Sequence, residues 1–596
     1  MPLFFQSPPP PPPPAIVKSG WIIRHGRKTL GEDSLILIPG GTHWKSVRKI
    51  VARAFTHDIV RDQRRVVGEI ARELVDWLAW SCDRNTAACR AGEAGEDAAD
   101  GEAADEPIEA TDFFKLYSFC VFGRTALGYD FGSIPPKGCP RRRRPSSSRE
   151  CMPAEAVAFE LLNADIGMRA TRPEALVNPS MQLYWIPTKA NRTYWKNSNT
   201  VNGMMGRIIG DRMDGMLRSS SSSSSSQKEK ETEKEDSATR SSLLSYLISS
   251  CIEKHYSNQS SSSACPFAAS LQSRSSSTLS ASASSVGGAS SFLPPSEMTH
   301  AARHKIIQDV SKILHTLLLA GYETTALSLS YAMYCLAMSP RCQERCCEEA
   351  RRVLGRRRRG DGSRDSSNSA SDRDDGDDSF DPDDDDLPYC RAVLTESIRL
   401  NMPVVFTTRV MFKDLSLETG YNDDANGRGS RVTILKGTRV IINPEMIHRD
   451  ERNFNRALEF VPERWVGWDE RTSGWVDRDY KVEAKSIPTE QHASMSGTAS
   501  SFATTTTPPS LSSEYSVEHS HADRIPAANP ANFFAFSDGA RNCVGRRLAI
   551  IESTLLIAEI LRDLCVGLAD RDFEMVKVLN FVSVQPSKLP LKFWKR

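Results

Sequence analysis

"FSDGARNCVG", residues 536–545, sets a thiol between glycines and two positions after an arginine. A buried structural cysteine needs none of those neighbours. Cys543 lies two residues before Gly545, where an apolar-striped segment, "GRRLAIIESTLLIAEILRDL" (545–564), begins to read as a helix. A helix N-terminus offers unpaired amides and the positive end of a dipole, which favour a thiolate. Gly539 and Gly545 let backbone come close to something flat and bulky. Arg541 is placed to bind a carboxylate on the rim of that object, and Phe536 stands seven residues before the thiol.

A thiolate in a dry, glycine-lined loop beneath a flat dianion describes axial ligation of haem. The stretch resembles the haem-binding loop of the cytochromes P450, F-x-x-G-x-R-x-C-x-G, with Phe536, Gly539, Arg541, Cys543 and Gly545 filling every defined position. A second motif agrees with it. "AGYETT" (320–325) matches the A-G-x-[DE]-T-T of the helix that crosses the distal haem face in that family. Without that context, an acid and two threonines in an apolar helix would read as a buried hydrogen-bonding patch. In it, Ala320 and Gly321 leave a groove for oxygen, and Glu323 and Thr324 deliver protons there, with Thr324 in the proton-delivery position.

The resemblance extends to supporting positions. "TESIRL" gives Glu396 and Arg399 three residues apart on one helix face, and "PERW" (462–465) supplies Arg464; together they match the family's structural triad. Their implied role is folding and haem retention. Trp44 and Arg48 match W-x-x-x-R on a basic helix, and Arg409 follows Arg399 by ten residues, the spacing of the family's strand arginine. Arg48, Arg409 and Arg541 would then neutralise two haem carboxylates, as buried carboxylates require.

The chain has 596 residues, but several stretches cannot pack into a core. They are acidic and alanine-rich, arginine–serine-rich, polyserine or aspartate-rich, and their composition is that of disorder. About 400 residues remain, the size of one large domain. Residues 1–26 are set apart as a proline-rich N-terminus. Residues 27–596 form the domain, interrupted near 84–108, 134–150, 219–241, 257–293, 355–386 and 481–524. With 76 basic and 75 acidic residues the net charge is +1, so no global field favours nucleic acid. The "RRRR" runs at 141–144 and 356–359 fall in insertions and read as solvated charge. Fourteen cysteines form no CxxC pair, which fits reduced, mostly buried thiols in a cytosol-facing protein. No run of eighteen apolar residues occurs, so the sequence holds no transmembrane helix. No glycine-rich phosphate loop is present either.

Helical periodicity is strong over 43–55, 304–338, 387–400 and 545–564, whereas "RVTILKGTRVIIN" (431–443) reads as strand, Lys-Gly turn and strand. The expected class is α+β, mainly α: the cytochrome P450 fold with a small β-sheet region. Only 43 residues precede Trp44, where the family has a membrane anchor, a hinge, two helices and its first strands. The N-terminal part is therefore expected to be incomplete, with a natural product that begins further upstream and anchors to the membrane.

The resemblance implies a haem-thiolate monooxygenase with haem b. One atom of O2 enters a small apolar substrate of lipid, terpenoid or sterol class, and the other leaves as water. Electrons would come from a separate NADPH–cytochrome P450 reductase, with cytochrome b5 as a second donor. The docking face would be the basic surface of Lys45, Lys49, Arg53, Arg546 and Arg547. The expected location is the endoplasmic reticulum membrane, facing the cytosol. Two other readings remain. One is a P450-fold isomerase or dehydratase needing no external electrons, although such members usually lose the acid–threonine pair or alter the cysteine loop. The other is an inactive haem-binding fragment.

Overall fold

Thr299 starts the longest helix: its hydroxyl accepts the amide of Ala302 at 3.2 Å, capping the first turn. In the computed structural model, which describes residues 34–38, 40–90, 107–134, 151–170, 186–221, 242–259, 299–355, 386–422, 429–469, 474–477, 528–580 and 583–596, this helix spans His300–Ala337. It begins four residues before the sequence-predicted start at 304. It is α7 of the described helices, and 38 residues give it a length of about 57 Å. Its residues from Ile313 to Leu319 are all buried, so it is a core helix with neighbours on every side.

Those neighbours follow from the same apolar patterning. Preceding it are α1 (Thr42–Arg53), α2 (His57–Arg90), α3 (Ala110–Val121), α4 (Ala154–Ala170), α5 (Lys189–Ser221) and α6 (Leu243–Gln259). Following it are α8 (Pro340–Leu354), α9 (Pro388–Leu400), the short α10 (Pro444–His448) and α11 (Arg546–Asp563). Helices α3, α5, α6, α9 and α11 all pack on α7, and α11 also packs on α2 and α8. Proline opens α8, α9 and α10 at their first turns, where its missing amide costs nothing.

The strands are few and short. The two-residue β1 (Ile108–Glu109) joins β11 (Pro590–Lys595) and β8 (Leu564–Leu568) in one antiparallel sheet with β11 in the middle. Four two-stranded antiparallel pairs complete the set. The first is β2 (Thr407–Val410) with β5 (Arg439–Ile442), and the second β3 (Leu415–Asn422) with β4 (Gly429–Ile434). The others are β6 (Val466–Asp469) with β7 (Gly474–Asp477) and β9 (Lys577–Leu579) with β10 (Val584–Pro586). The expected strand–turn–strand at 431–443 is present as β4 and β5, with Gly437 at φ 86° in the turn. The two strands do not pair with each other, because each takes a different partner. Val432, Leu435 and Ile441 are exposed on these strands and the turn between them.

The mainly α, α+β expectation holds. Of the proposed insertions, three begin later than the sequence suggests, because α2 runs to Arg90, α5 to Ser221 and α6 to Gln259. Leu74, Val75 and Leu78 bury one face of α2, and the periodic helix carries on past them. The first of these stretches also ends inside described structure, since Ile108 belongs to β1; the rest of the three, with residues 1–26 and both "RRRR" runs, lies outside the described residues. No described helix is long and apolar enough to cross a membrane. All ten described cysteines are free, and seven of them are buried.

Candidate haem-thiolate site

The loop before α11 is shaped by its own backbone. Asp538 accepts the amide of Gly539 at 2.6 Å, and Ser537 and Gly539 take left-handed φ values of 58° and 69°. A single 3-10 turn, Gly539–Arg541, follows, and the amide of Cys543 donates to the carbonyl of Phe536 at 2.8 Å. Gly545 caps α11, and a Cβ there would meet only Phe55, at 3.8 Å. These bonds close the ten-residue stretch on itself and turn Cys543 outward.

Cys543 is exposed, yet burial is the largest influence on its thiol and raises its pKa. Solvent reaches the residue, while enough protein surrounds the sulfur to desolvate it. The amides of Gly545 and Arg546 donate to the sulfur, and Arg48 and Arg546 add positive charge; all four act to lower it. The helix N-terminus therefore acts in the direction expected from the sequence, but desolvation outweighs it and the thiol is not acidified.

Three arginines gather over this loop. Arg48 donates to Asn542 Oδ1 at 2.7 Å, next to the cysteine. Arg541 donates to the carbonyls of Leu35 (3.4 Å) and Ile38 (2.9 Å), with its guanidinium 4.3 Å from the centre of the Trp44 ring. Arg409, on β2, donates to Thr407 Oγ1 and the carbonyl of Thr408. Burial lowers the pKa of all three, and for Arg541 repulsion from Arg409 and Arg48 adds to burial, bringing it to about 10. Among the described residues none of the three forms an ion pair. Trp44 is buried, and its indole Nε1 has no acceptor among the described residues. Clustered cations without a carboxylate, beside an orphaned indole donor and an outward thiol, fit a flat dianion such as haem.

On α7, Ala320 is exposed and Gly321 and Thr324 are partly so, although Ile313–Leu319 behind them are buried. The Thr324 hydroxyl donates to the carbonyl of Ala320 at 2.5 Å, turning back on its own helix. A Cβ on Gly321 would meet Phe122 at 3.6 Å. Glu323 lies elsewhere: it is buried, and its Oε1 accepts Asn580 Nδ2 (2.9 Å) and Ser583 Oγ (2.6 Å). Its neighbour Thr325 hydrogen-bonds the buried carboxyl of Glu552 on α11, whose pKa burial raises to about 8.

Glu396, Arg399 and Arg464 come together with essentially no exposure. Glu396 Oε1 accepts Arg399 Nη2 (2.9 Å), Arg464 Nε (2.9 Å) and the amide of Val461 (3.0 Å). Its Oε2 accepts Arg399 Nε and Trp465 Nε1, both at 2.9 Å. Five donors saturate one carboxylate, which is what a buried ion pair needs to be tolerable. The triad reaches the cysteine loop through aromatic contacts. Trp465 packs edge-on to Phe533 with ring centres 5.2 Å apart, and Phe533 packs against Phe536 at 6.5 Å.

Two parts of this assembly carry no mark in the sequence. His448 is fully buried, stacks on Phe533 at 5.2 Å and accepts the amide of Phe534 at Nε2, 2.9 Å away. A lone histidine at the end of a short helix offers no periodic signal. The other is a second buried network in which Glu463 pairs with Arg345 and accepts Tyr389 Oη at 2.8 Å, while Glu349 accepts the amides of Tyr389 and Cys390. Its members come from three segments far apart in sequence. Lys45, Lys49, Arg53 and Arg546 are exposed, and Arg547 is half-buried.

The cytochrome P450 family model matches residues 297–474 and 513–593, which take in α7, the triad and the cysteine loop. Over these segments the chain is similar to the cytochromes P450, a family in which haem iron with a cysteine thiolate ligand is expected. Cytochrome P450 CYP12A2 of Musca domestica is 24% identical over 277 residues, covering 46% of this chain and 37% of that protein. Cytochrome P450 302a1, mitochondrial, of Drosophila melanogaster is 34% identical over 158 residues, 26% of each chain. The mitochondrial 1,25-dihydroxyvitamin D(3) 24-hydroxylase of Mus musculus is 25% identical over 279 residues, 47% of this chain and 37% of that protein. The chain thus spans between a quarter and two fifths of the length of these curated relatives.

Proposed function

We propose that the protein is a haem-thiolate monooxygenase that inserts one atom of O2 into a small apolar substrate. The observation that carries this reading is the outward thiol of Cys543 under three arginines that have no carboxylate among the described residues. Cys543 would supply the thiolate that holds haem; Arg48, Arg409, Arg541 and Trp44 would hold its carboxylates; Phe536, Gly539 and Gly545 shape the loop. When bound, haem supplies oxygen activation, with the thiolate favouring O–O cleavage. Ala320 and Gly321 keep side-chain bulk away from that side, and the Thr324 hydroxyl holds a proton there, with Glu323 one residue behind. Glu396, Arg399 and Arg464 keep the 448–464 segment in place through the carbonyls of His448, Asn455, Arg456, Ala457 and Glu459.

Electrons come from a separate reductase, an NADPH flavoprotein with or without cytochrome b5, docking by its acidic face on Lys45, Lys49, Arg53, Arg546 and Arg547. A lipid, terpenoid or sterol substrate suits the exposed Val404 and Phe406 beside β2. The location we propose is a membrane, the endoplasmic reticulum by resemblance; two of the named relatives are mitochondrial, which makes that organelle the alternative. The test is reconstitution: haem content, the reduced carbon monoxide spectrum, then NADPH-dependent oxygenation with added reductase. A thiolate-type spectrum with product that requires NADPH supports the reading. The same spectrum with turnover of a peroxide and no need for electrons would replace it with an isomerase or dehydratase, and failure to bind haem would leave an inactive fragment.

A further inference from the structure

We propose that Asn580 and Ser583 are positioning residues: with Glu323 they form a clasp that pins the β9–β10 turn to α7 and so sets the apolar wall next to Thr324. The proposal rests on the monooxygenase reading for its consequence, but not for the clasp itself. Of the two carboxylates on α7, Asp309 and Glu323, only Glu323 is buried, and its two side-chain donors are Asn580, just after β9, and Ser583, just before β10. Asn580 and Ser583 are also joined to each other, the amide of Asn580 donating to the carbonyl of Ser583 at 2.7 Å. Beyond it, the amide of Val584 donates to the carbonyl of Pro403 at 2.7 Å, and Tyr331 Oη donates to the carbonyl of Val584 at 2.8 Å. Helix α7, the turn and the segment 403–406 are therefore one hydrogen-bonded unit. That segment carries the exposed apolar side chains Val404 and Phe406.

Besides the clasp, the β9–β10 pair is held at this end by the two bonds of Val584, to Pro403 and Tyr331. It has three residues on each strand, and Val576, Val578 and Leu579 are exposed rather than packed. A two-stranded ribbon of that size is not stable by itself. Lys577 anchors its other end through Glu445 at 3.2 Å. Of these ties, the clasp at Glu323 is the one that reaches the 320–324 helical turn, where Ala320 is exposed and Thr324 partly so.

The experiment uses the full chain with Ser583→Ala, Asn580→Ala and the conservative Ser583→Thr. Hydrogen exchange of the 577–586 amides is followed by mass spectrometry, in haem-free and haem-loaded protein. The alanine variants should exchange there about tenfold faster, the loss expected for one buried hydrogen bond to a charged acceptor, while Ser583→Thr keeps the parent rate. In the loaded protein, 4-phenylimidazole and imidazole are titrated spectroscopically. The Kd for 4-phenylimidazole, whose ring needs the apolar wall, should rise about fivefold in the alanine variants, with that for imidazole unchanged. Exchange at the parent rate would overturn the clasp, and faster exchange with an unchanged ratio of the two Kd values would overturn its role in the wall. If the parent never loads haem, the functional reading fails, while exchange still decides the clasp.

Discussion

The guanidinium of Arg541 lies 4.3 Å from the centre of the Trp44 ring, and the charge it brings there is opposed by Arg48 and Arg409. Cation–π contact and two carbonyl acceptors keep it in place without neutralising it. In the absence of an anion, this cluster is a cost to the fold.

Arg541→Leu should therefore act in opposite directions in the two forms of the protein. Haem-free, it removes a half-buried, repelled cation whose pKa is lowered to about 10, so the penalty is present at all pH values below that. Relief of roughly 1 kcal/mol is expected after solvent screening, seen as a higher melting temperature. Haem-loaded, the same variant loses a carboxylate partner and should release haem faster. Parallel shifts in both forms would show that Arg541 is only a packing residue.

Cys543→Ala should abolish the red-shifted carbon monoxide band, whereas Cys565→Ala, on β8, should leave it intact. Both thiols have at least partial exposure, so accessibility alone does not separate them. The loop bonds and the arginines do. Retention of the band without Cys543 would refute the haem-loop assignment.

Replacing Glu396 by alanine leaves Arg399 and Arg464 buried without their carboxylate and strands the Trp465 indole. A loss of about 3–5 kcal/mol is expected by urea denaturation. Haem retention should fall with it, because Trp465 and Phe533 link the triad to the cysteine loop. Wild-type stability in this variant would mean the network is not what holds the 448–464 segment.

The site was legible where local spacing carries it. Cys543, Gly539, Arg541 and Gly545 sit within one loop, and Glu396 and Arg399 on one helical turn, so their pattern survives in one dimension. Arg464 and Arg409 were reached only through the family resemblance, because nothing local marks an arginine that will meet a carboxylate 68 residues away. His448, Arg345 and the Glu323 clasp were not legible: each depends on packing between segments with no shared period. The net raising of the Cys543 thiol was missed for a related reason, since a sequence shows the dipole but not the depth of burial.

Thr324→Ala should leave haem binding and the Kd of 4-phenylimidazole nearly unchanged, because its hydroxyl bonds only to its own helix among the described contacts. Product formed per NADPH consumed should fall several-fold, with peroxide accounting for the difference. Coupling equal to that of the parent would make Thr324 a packing residue.

His448 gives the fold a defined weakness to acid. It is fully buried, and burial and then the Arg399 charge lower its pKa from 6.5 to about 4. Its Nε2 must be unprotonated to accept the Phe534 amide. A histidine depressed in the folded state contributes stability that is fully present above the unfolded value and is lost as pH falls from about 6.5 towards 4. The loss should approach 3 kcal/mol, at about 1.4 kcal/mol per pK unit. His448→Gln keeps an acceptor for Phe534 and cannot titrate. Urea unfolding of parent and variant at pH 8, 6 and 4.5 isolates the effect from the carboxylates that titrate in both. The parent should lose stability relative to the variant between pH 6 and 4.5, with a constant difference above pH 7. Phe534 precedes the cysteine loop by two residues, so haem release from the parent should accelerate over the same interval. A stability difference independent of pH would mean that His448 is not held neutral by the fold.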